Sequence, residues 1–110
     1  MIDRRQFYID GAWVDPAESR DLPVTDPSTE EEIAVISLGG QVDTDAAVRA
    51  ARAAFDDWAA RPMAERIGYL EALLEAYDAR AEEMAEAISL EMGAPLDLAR
   101  NSQQPAGTGH

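Results

Sequence analysis

Asp43-Thr44-Asp45-Ala46-Ala47-Val48-Arg49-Ala50-Ala51-Arg52-Ala53-Ala54-Phe55-Asp56-Asp57-Trp58 decides how the chain is read, because here the apolar period changes from two to about three and a half. Val48, Ala51, Phe55 and Trp58 stand three, four and three apart, which puts them on one stripe of an α-helix. Asp43 or Thr44 is the expected N-cap, since a short oxygen-bearing side chain satisfies the first free amides. Arg61-Pro62 ends this helix, and Pro62 suits the first turn of the next. In that second helix Ile67, Leu70, Leu74 and Tyr77 repeat the spacing, with Leu73 widening the stripe. A third helix carries Ala81, Met84, Ala85 and Ile88 and stops at Gly93, with Pro95 just beyond. Leu96-Asp97-Leu98-Ala99 opens one more helical turn.

Upstream the pattern is that of strands and turns. Phe7-Tyr8-Ile9 and Trp13-Val14 flank Asp10-Gly11, a dipeptide suited to the positive φ angles of a tight hairpin. Turn formers follow at Asp15-Pro16-Ala17-Glu18-Ser19 and again at Asp26-Pro27-Ser28-Thr29. Ile33-Ala34-Val35-Ile36-Ser37-Leu38 is a short β-branched run closed by Gly39-Gly40, and reads as a strand. Downstream, Asn101 to His110 is polar, rich in Gly and Pro, and shows no packing pattern. The layout is therefore α/β: a β-hairpin and short strand in residues 1–42, three amphipathic helices in 43–100, and a polar tail in 101–110. It is also unbalanced. A lone hairpin is marginal in water and a single strand leaves backbone groups unpaired, so further polypeptide is expected to complete the unit.

Composition narrows the chemistry. With 46% hydrophobic and 28% charged residues, the 110-residue chain has globular proportions. Lysine is absent, so nine arginines face 22 carboxylates and the formal net charge is −13. Such a surface repels phosphate backbones and anionic headgroups, which argues against nucleic acid or membrane as a partner. No apolar run approaches the ~20 residues that cross a bilayer, and Met1-Ile2-Asp3-Arg4-Arg5 leads into no secretory signal. The expected location is the cytoplasm. There is no cysteine, which excludes disulfides, thiolate metal sites and a cysteine nucleophile. The single histidine, His110, is the last residue, where little holds an imidazole in a catalytic geometry.

Several of these segments resemble the aldehyde dehydrogenase superfamily. Tyr8-Ile9-Asp10-Gly11-Ala12-Trp13-Val14 is similar to that family's opening hairpin. Val24-Thr25-Asp26-Pro27-Ser28-Thr29-Glu30-Glu31-Glu32-Ile33-Ala34 is similar to its Asn-Pro turn and following strand, with Asp26 in place of the usual Asn and Glu30 where Gly is common. The helix from Asp43 to Trp58, the opening Pro62-Met63-Ala64-Glu65-Arg66 and the element Glu91-Met92-Gly93-Ala94-Pro95 follow in the family's order. The resemblance spans residues 7 to 99.

It implies an NAD(P)-dependent oxidation of an aldehyde to a carboxylic acid, in which a cysteine thiolate attacks the carbonyl, hydride leaves to the nicotinamide and a glutamate activates the water that hydrolyses the thioester. The cofactor glycines, base and nucleophile of the family lie downstream of every position matched here. The resemblance thus implies an amino-terminal fragment, an incomplete part of the family's fold. On this view NAD or NADP belongs to the full-length parent and does not bind this chain alone. The partner is the rest of the parent chain, itself commonly a homo-oligomer. A non-catalytic helical interaction module built on the same scaffold is the alternative.

Other candidates have simpler readings. Phe55, Trp58, Leu70 and Leu74 could line a pocket, but stripes at this spacing are expected to be core. Glu30-Glu31-Glu32, Asp56-Asp57 and Glu82-Glu83 lack the alternation of a calcium loop and read as a solvated acidic face. Gly39-Gly40 and Gly107-Thr108-Gly109 lack the three-glycine spacing of a dinucleotide turn. Arg49, Arg52, Arg61 and Arg66 are expected in exposed helical pairs such as Asp45–Arg49. One site comes with the resemblance. Several family members hold a monovalent cation through carbonyls just before the Asn-Pro turn and an acid just before the Gly-containing element. Those positions here are Val24, Thr25 and Glu91.

Overall fold

In the computed structural model, which describes residues 1–109, the chain forms two compact units. His110, the only histidine, lies outside the described residues.

The first unit comprises residues 1–25 and 32–61. Its hairpin pairs β2 (Phe7–Ile9) with β3 (Ala12–Val14), Tyr8 opposite Trp13. Asp10 and Gly11 both adopt positive φ, 54° and 77°, the combination that matches the right-handed twist of the strands. The Tyr8 and Trp13 rings meet at 5.2 Å between centroids, and Gln6 Nε2 donates to Asp15 Oδ1 across the open end. The strand after the Pro-Ser turn is not isolated. β5 (Glu32–Ser37) runs between β1 (Ile2–Arg4), parallel to it, and β4 (Asp21–Thr25), antiparallel. Neither edge strand is legible as a hydrophobic run. β1 offers a single apolar residue, Ile2, and β4 carries Pro23, which an edge strand tolerates because one side of it needs no donor.

Helix α1 (Gln41–Ala60) begins earlier than the expected cap at Asp43 or Thr44. Gly40 is the N-cap, and Asp43, at the third helical position, turns back to accept the Gly40 N–H at Oδ2 (3.0 Å). Its other oxygen accepts the N–H of Ala17, 2.8 Å away and 26 residues upstream. One buried carboxylate therefore fixes both the helix start and the loop after the hairpin. Arg20 Nη2 donates to the Gly39 carbonyl beside it (2.9 Å). The Gly39 turn lies against the Phe7 ring.

The second unit comprises residues 26–31 and those from Pro62 onward. It holds α2 (Met63–Ala79), α3 (Ala81–Met92) and a single turn α4 (Leu96–Leu98). Pro62 precedes α2 as its N-cap, one position earlier than read from the sequence. Gly93 closes α3 in the left-handed region at φ 68°. The polar tail, which shows no packing pattern in the sequence, is packed in part. Ala99–Gln103 forms a π-turn and Pro105–Gly107 a 3-10 turn, with Ala99 fully buried and Gln104 6% exposed. Small and amide side chains, not an apolar stripe, do this packing, so hydrophobic periodicity could not reveal it.

The expected helical core is also corrected. Phe55, Trp58, Leu70 and Leu74 are 55%, 40%, 61% and 44% exposed. Among the described residues no large side chain is fully buried; the best-buried apolar positions are Ala34, Ala85 and Ala99. Periodicity marks which face is apolar and is silent on whether its partner lies in the same chain.

The amides of Gly40 and Ala17, with Arg20 nearby, hold the Asp43 carboxyl below the usual aspartate range. A depressed folded-state value means that the stabilisation is present above the unfolded pKa and is lost as pH falls through the folded one. Followed by NMR, the Ala17 and Gly40 amide shifts are expected to titrate together at a pH below that of a free aspartate. In Asp43→Asn both transitions disappear, and independent or ordinary-range transitions would contradict the clasp.

Candidate functional site

Residues 26–31 make a turn held from inside. Asp26 Oδ1 accepts the Ser28 N–H (2.7 Å), the Asp26 carbonyl accepts the Glu30 N–H (2.8 Å), and Asp26 donates its own N–H to the Glu31 carbonyl (3.0 Å). An asparagine would supply the same side-chain oxygen, which explains why Asp serves where the resembling family has Asn. Glu30 stands at φ 61°, a conformation that favours glycine, the residue common there.

This turn and the end of α3 are one packed piece. A Cβ on Gly93 would lie 2.9 Å from Pro27 Cγ and 3.0 Å from Ser28 Oγ, so only glycine lets them touch. The left-handed φ of Gly93 demands glycine for a second reason. The Gly93 N–H reaches the Ser89 carbonyl (2.9 Å), and Ser89 Oγ donates to the Ala94 carbonyl (2.7 Å), which sets the exit of the chain toward Pro95. The Asp-Pro turn and the Gly93 element, more than sixty residues apart in the sequence, thus meet through backbone geometry.

The candidate cation ligands are placed as follows. Val24 and Thr25 end β4, where the register with β5 shifts, and belong to the first unit. Glu91 is exposed in the last turn of α3, in the second unit. Among the described residues no group of three or more histidine, cysteine, aspartate or glutamate side chains could hold a metal ion.

The acidic clusters are spent on ion pairs or left in solvent. Asp57 pairs with Arg61 (3.0 Å), Glu83 with Arg80 (2.7 Å) and Glu82 with both Nε and Nη2 of Arg100 (2.9 and 2.5 Å). The hydrogen bond from Arg100 lowers the Glu82 pKa, and that from Arg80 lowers the Glu83 pKa. The expected Asp45–Arg49 pair does not form; Asp45 Oδ1 accepts from Gln41 Nε2 instead (2.7 Å). The Gly39-Gly40 junction is a strand-to-helix turn, and the Asp43 carboxylate already occupies its free amide. A phosphate there would meet a negative charge. Among the described residues no helix is long and apolar enough to cross a membrane.

Comparison with known proteins gives a consistent result. The sequence model of the aldehyde dehydrogenase family matches residues 13–108. A 3-succinoylsemialdehyde-pyridine dehydrogenase of a Pseudomonas species is 48% identical over 111 residues, covering 100% of this chain and 23% of the relative. A putative aldehyde dehydrogenase of Staphylococcus haemolyticus is 34% identical, again over 100% of this chain and 23% of its own length. Among solved structures, an aldehyde dehydrogenase from Bartonella henselae superimposes with a TM-score of 0.98 at 50% identity, covering 100% of this chain and 23% of that one. Aldehyde dehydrogenase C of Pseudomonas syringae, solved as a cysteine-to-alanine mutant with NAD+ and octanal, gives a TM-score of 0.90 at 42% identity over 92% of this chain and 21% of that one. The chain therefore spans about a quarter of the relatives it matches.

Two substitutions test the packed turn. Glu30→Gly is expected to relieve the left-handed strain and stabilise the turn by about 1 kcal/mol, read as slower hydrogen exchange of the Asp26 and Glu30 amides. Gly93→Ala is expected to speed exchange at Gly93 and Ser28 together; a change at Gly93 alone would show that the turn does not rest on it.

Proposed function

The chain belongs to the aldehyde dehydrogenase family, and from that membership we propose that it acts as the amino-terminal scaffold segment of an NAD(P)-dependent enzyme that oxidises an aldehyde to a carboxylic acid. The observation that carries the scaffold reading is the open apolar surface. Phe55, Leu70 and Leu73 are each more than half exposed, and among the described residues 22 large hydrophobic side chains stand exposed. Burying one such side chain contributes roughly 1.5–3 kcal/mol, so a handful left open equals the whole stability of an ordinary domain, about 5–15 kcal/mol. A surface of this kind is built to be covered.

The catalytic parts must come from elsewhere in the enzyme. Oxidising an aldehyde needs a nucleophile for the carbonyl carbon, an acceptor for the hydride and a base for water. This sequence has no thiol, and its residues do not fit a dinucleotide. The one strand-Gly-Gly-helix junction has its helix start occupied by the Asp43 carboxylate, which disfavours a pyrophosphate. NAD or NADP would supply hydride-accepting chemistry in the parent enzyme, on residues outside these.

The same reading assigns three ligands to a monovalent cation in the parent: the carbonyls of Val24 and Thr25 and the Glu91 carboxylate. Oxygen donors of this kind suit a hard cation. It also assigns a cytoplasmic location and a homo-oligomeric parent.

Thermal unfolding of the 110-residue chain, with a hydrophobic dye present, tests the reading. The expected result is strong dye binding before any transition and a broad melt without a sharp midpoint. The purified chain should also reduce no NAD(P)+ with any aldehyde offered. A sharp, cooperative melt without dye binding would favour the self-sufficient interaction module, and turnover that survived purification would refute the scaffold assignment.

A further inference from the structure

The segment after α4 is held in an unusual register by its neighbours. The Gln104 N–H reaches the Ala99 carbonyl five residues back (2.9 Å), the bond of a π-turn in place of the α-helical partner at Arg100. Three contacts within the second unit favour it. The Tyr77 hydroxyl donates to the Gln104 carbonyl (2.9 Å). The Tyr77 ring fills the place a side chain at residue 107 would need: a Cβ there would lie 2.6 Å from Cζ, so Gly107 is what lets the ring in. Arg100, at the start of the turn, is tied to Glu82 of α3 through two nitrogens.

Against these stands a cost in the same turn. Gln103 Oε1 is buried without a hydrogen-bond partner, and an unmet buried acceptor disfavours the arrangement that buries it. The π register is itself the rarer one. Contacts that hold the π register and a buried acceptor that opposes it thus meet within the same nine residues, 99–107.

We propose that residues 99–107 form a register switch between π and α hydrogen bonding, with Tyr77 as the positioning residue that holds the π state. In the released state Gln104 bonds to the Arg100 carbonyl, the turn rotates, and the Gln103 amide gains access to solvent or to an external donor. This inference stands apart from the dehydrogenase assignment, since it rests only on contacts within one unit.

NMR on the full 110-residue chain tests it. In the unaltered protein, cross-relaxation between the Tyr77 ring protons and the Gly107 Hα protons is expected; its absence would overturn the clasp directly. Tyr77→Phe is expected to speed exchange of the Gln104 and Gly107 amides about tenfold, the effect of one lost hydrogen bond, and to leave the Met84 and Gly93 amides unchanged. Gly107→Ala should do the same by expelling the ring. Because both act through one contact, the double variant should exchange no faster than the faster single variant. Multiplying effects, no effect, or acceleration spread evenly through α2 and α3 would each contradict the switch.

Discussion

The structure depends on apolar surface that the chain does not itself cover. Two units form, each with sound local geometry, yet alanines are the most deeply buried apolar residues in them. The hydrophobic effect scales with area removed from water, and an alanine contributes little of it. The favourable term that ordinarily offsets the conformational entropy of about a hundred ordered residues is therefore largely unrealised within these residues. Helices α1 and α2 start and stop at defined caps and still leave Phe55, Leu70, Leu73 and Leu74 exposed, whereas α3 buries Ala85. The scaffold reading follows from that imbalance.

What holds each unit in shape is mostly backbone chemistry. The Asp43 carboxylate joins a helix start to a distant loop. The Asp26 turn sits on Gly93 because no side chain intervenes. Tyr77 pins the last turns through one carbonyl. These contacts give direction more than stability, which is what a scaffold needs if the exits of its strands and helices are to meet other polypeptide at defined angles. They also give the family motifs a physical meaning. The Asp-Pro turn and the Glu-Met-Gly element are recognisable because a positive φ, an Asx acceptor and a missing Cβ each admit few residue types.

The legible parts of the fold were those with a local cause. Asp10-Gly11 announced its turn because two successive positive φ angles admit few residues. Gly93 and Pro62 announced helix ends for the same kind of reason. The three helices were plain from their period; the acidic clusters, read as a solvated face, prove to hold Asp57, Glu82 and Glu83 in ion pairs with arginines. β1 and β4 were not legible, because an edge strand borrows its stability from the central strand and needs no apolar run of its own. The π-turn was hidden because alanine, glutamine and glycine carry no period. The exposure of Phe55, Trp58, Leu70 and Leu74 could not be read at all, since an amphipathic stripe looks the same whether its partner is in the same chain or beyond it. The family could be named from motif order; the ligand set at Val24, Thr25 and Glu91 came with that name and not from any pattern in the residues themselves.

The central claim is that the open stripes are one half of an interface with dehydrogenase polypeptide. The most direct measurement is titration of this chain into a related aldehyde dehydrogenase polypeptide that lacks its own first quarter, followed by the emission of Trp58, which is 40% exposed in the chain alone. The account predicts a saturable, one-to-one association with a blue shift as the indole leaves water. Emission that stays unchanged while both polypeptides remain ordered in the mixture would contradict it.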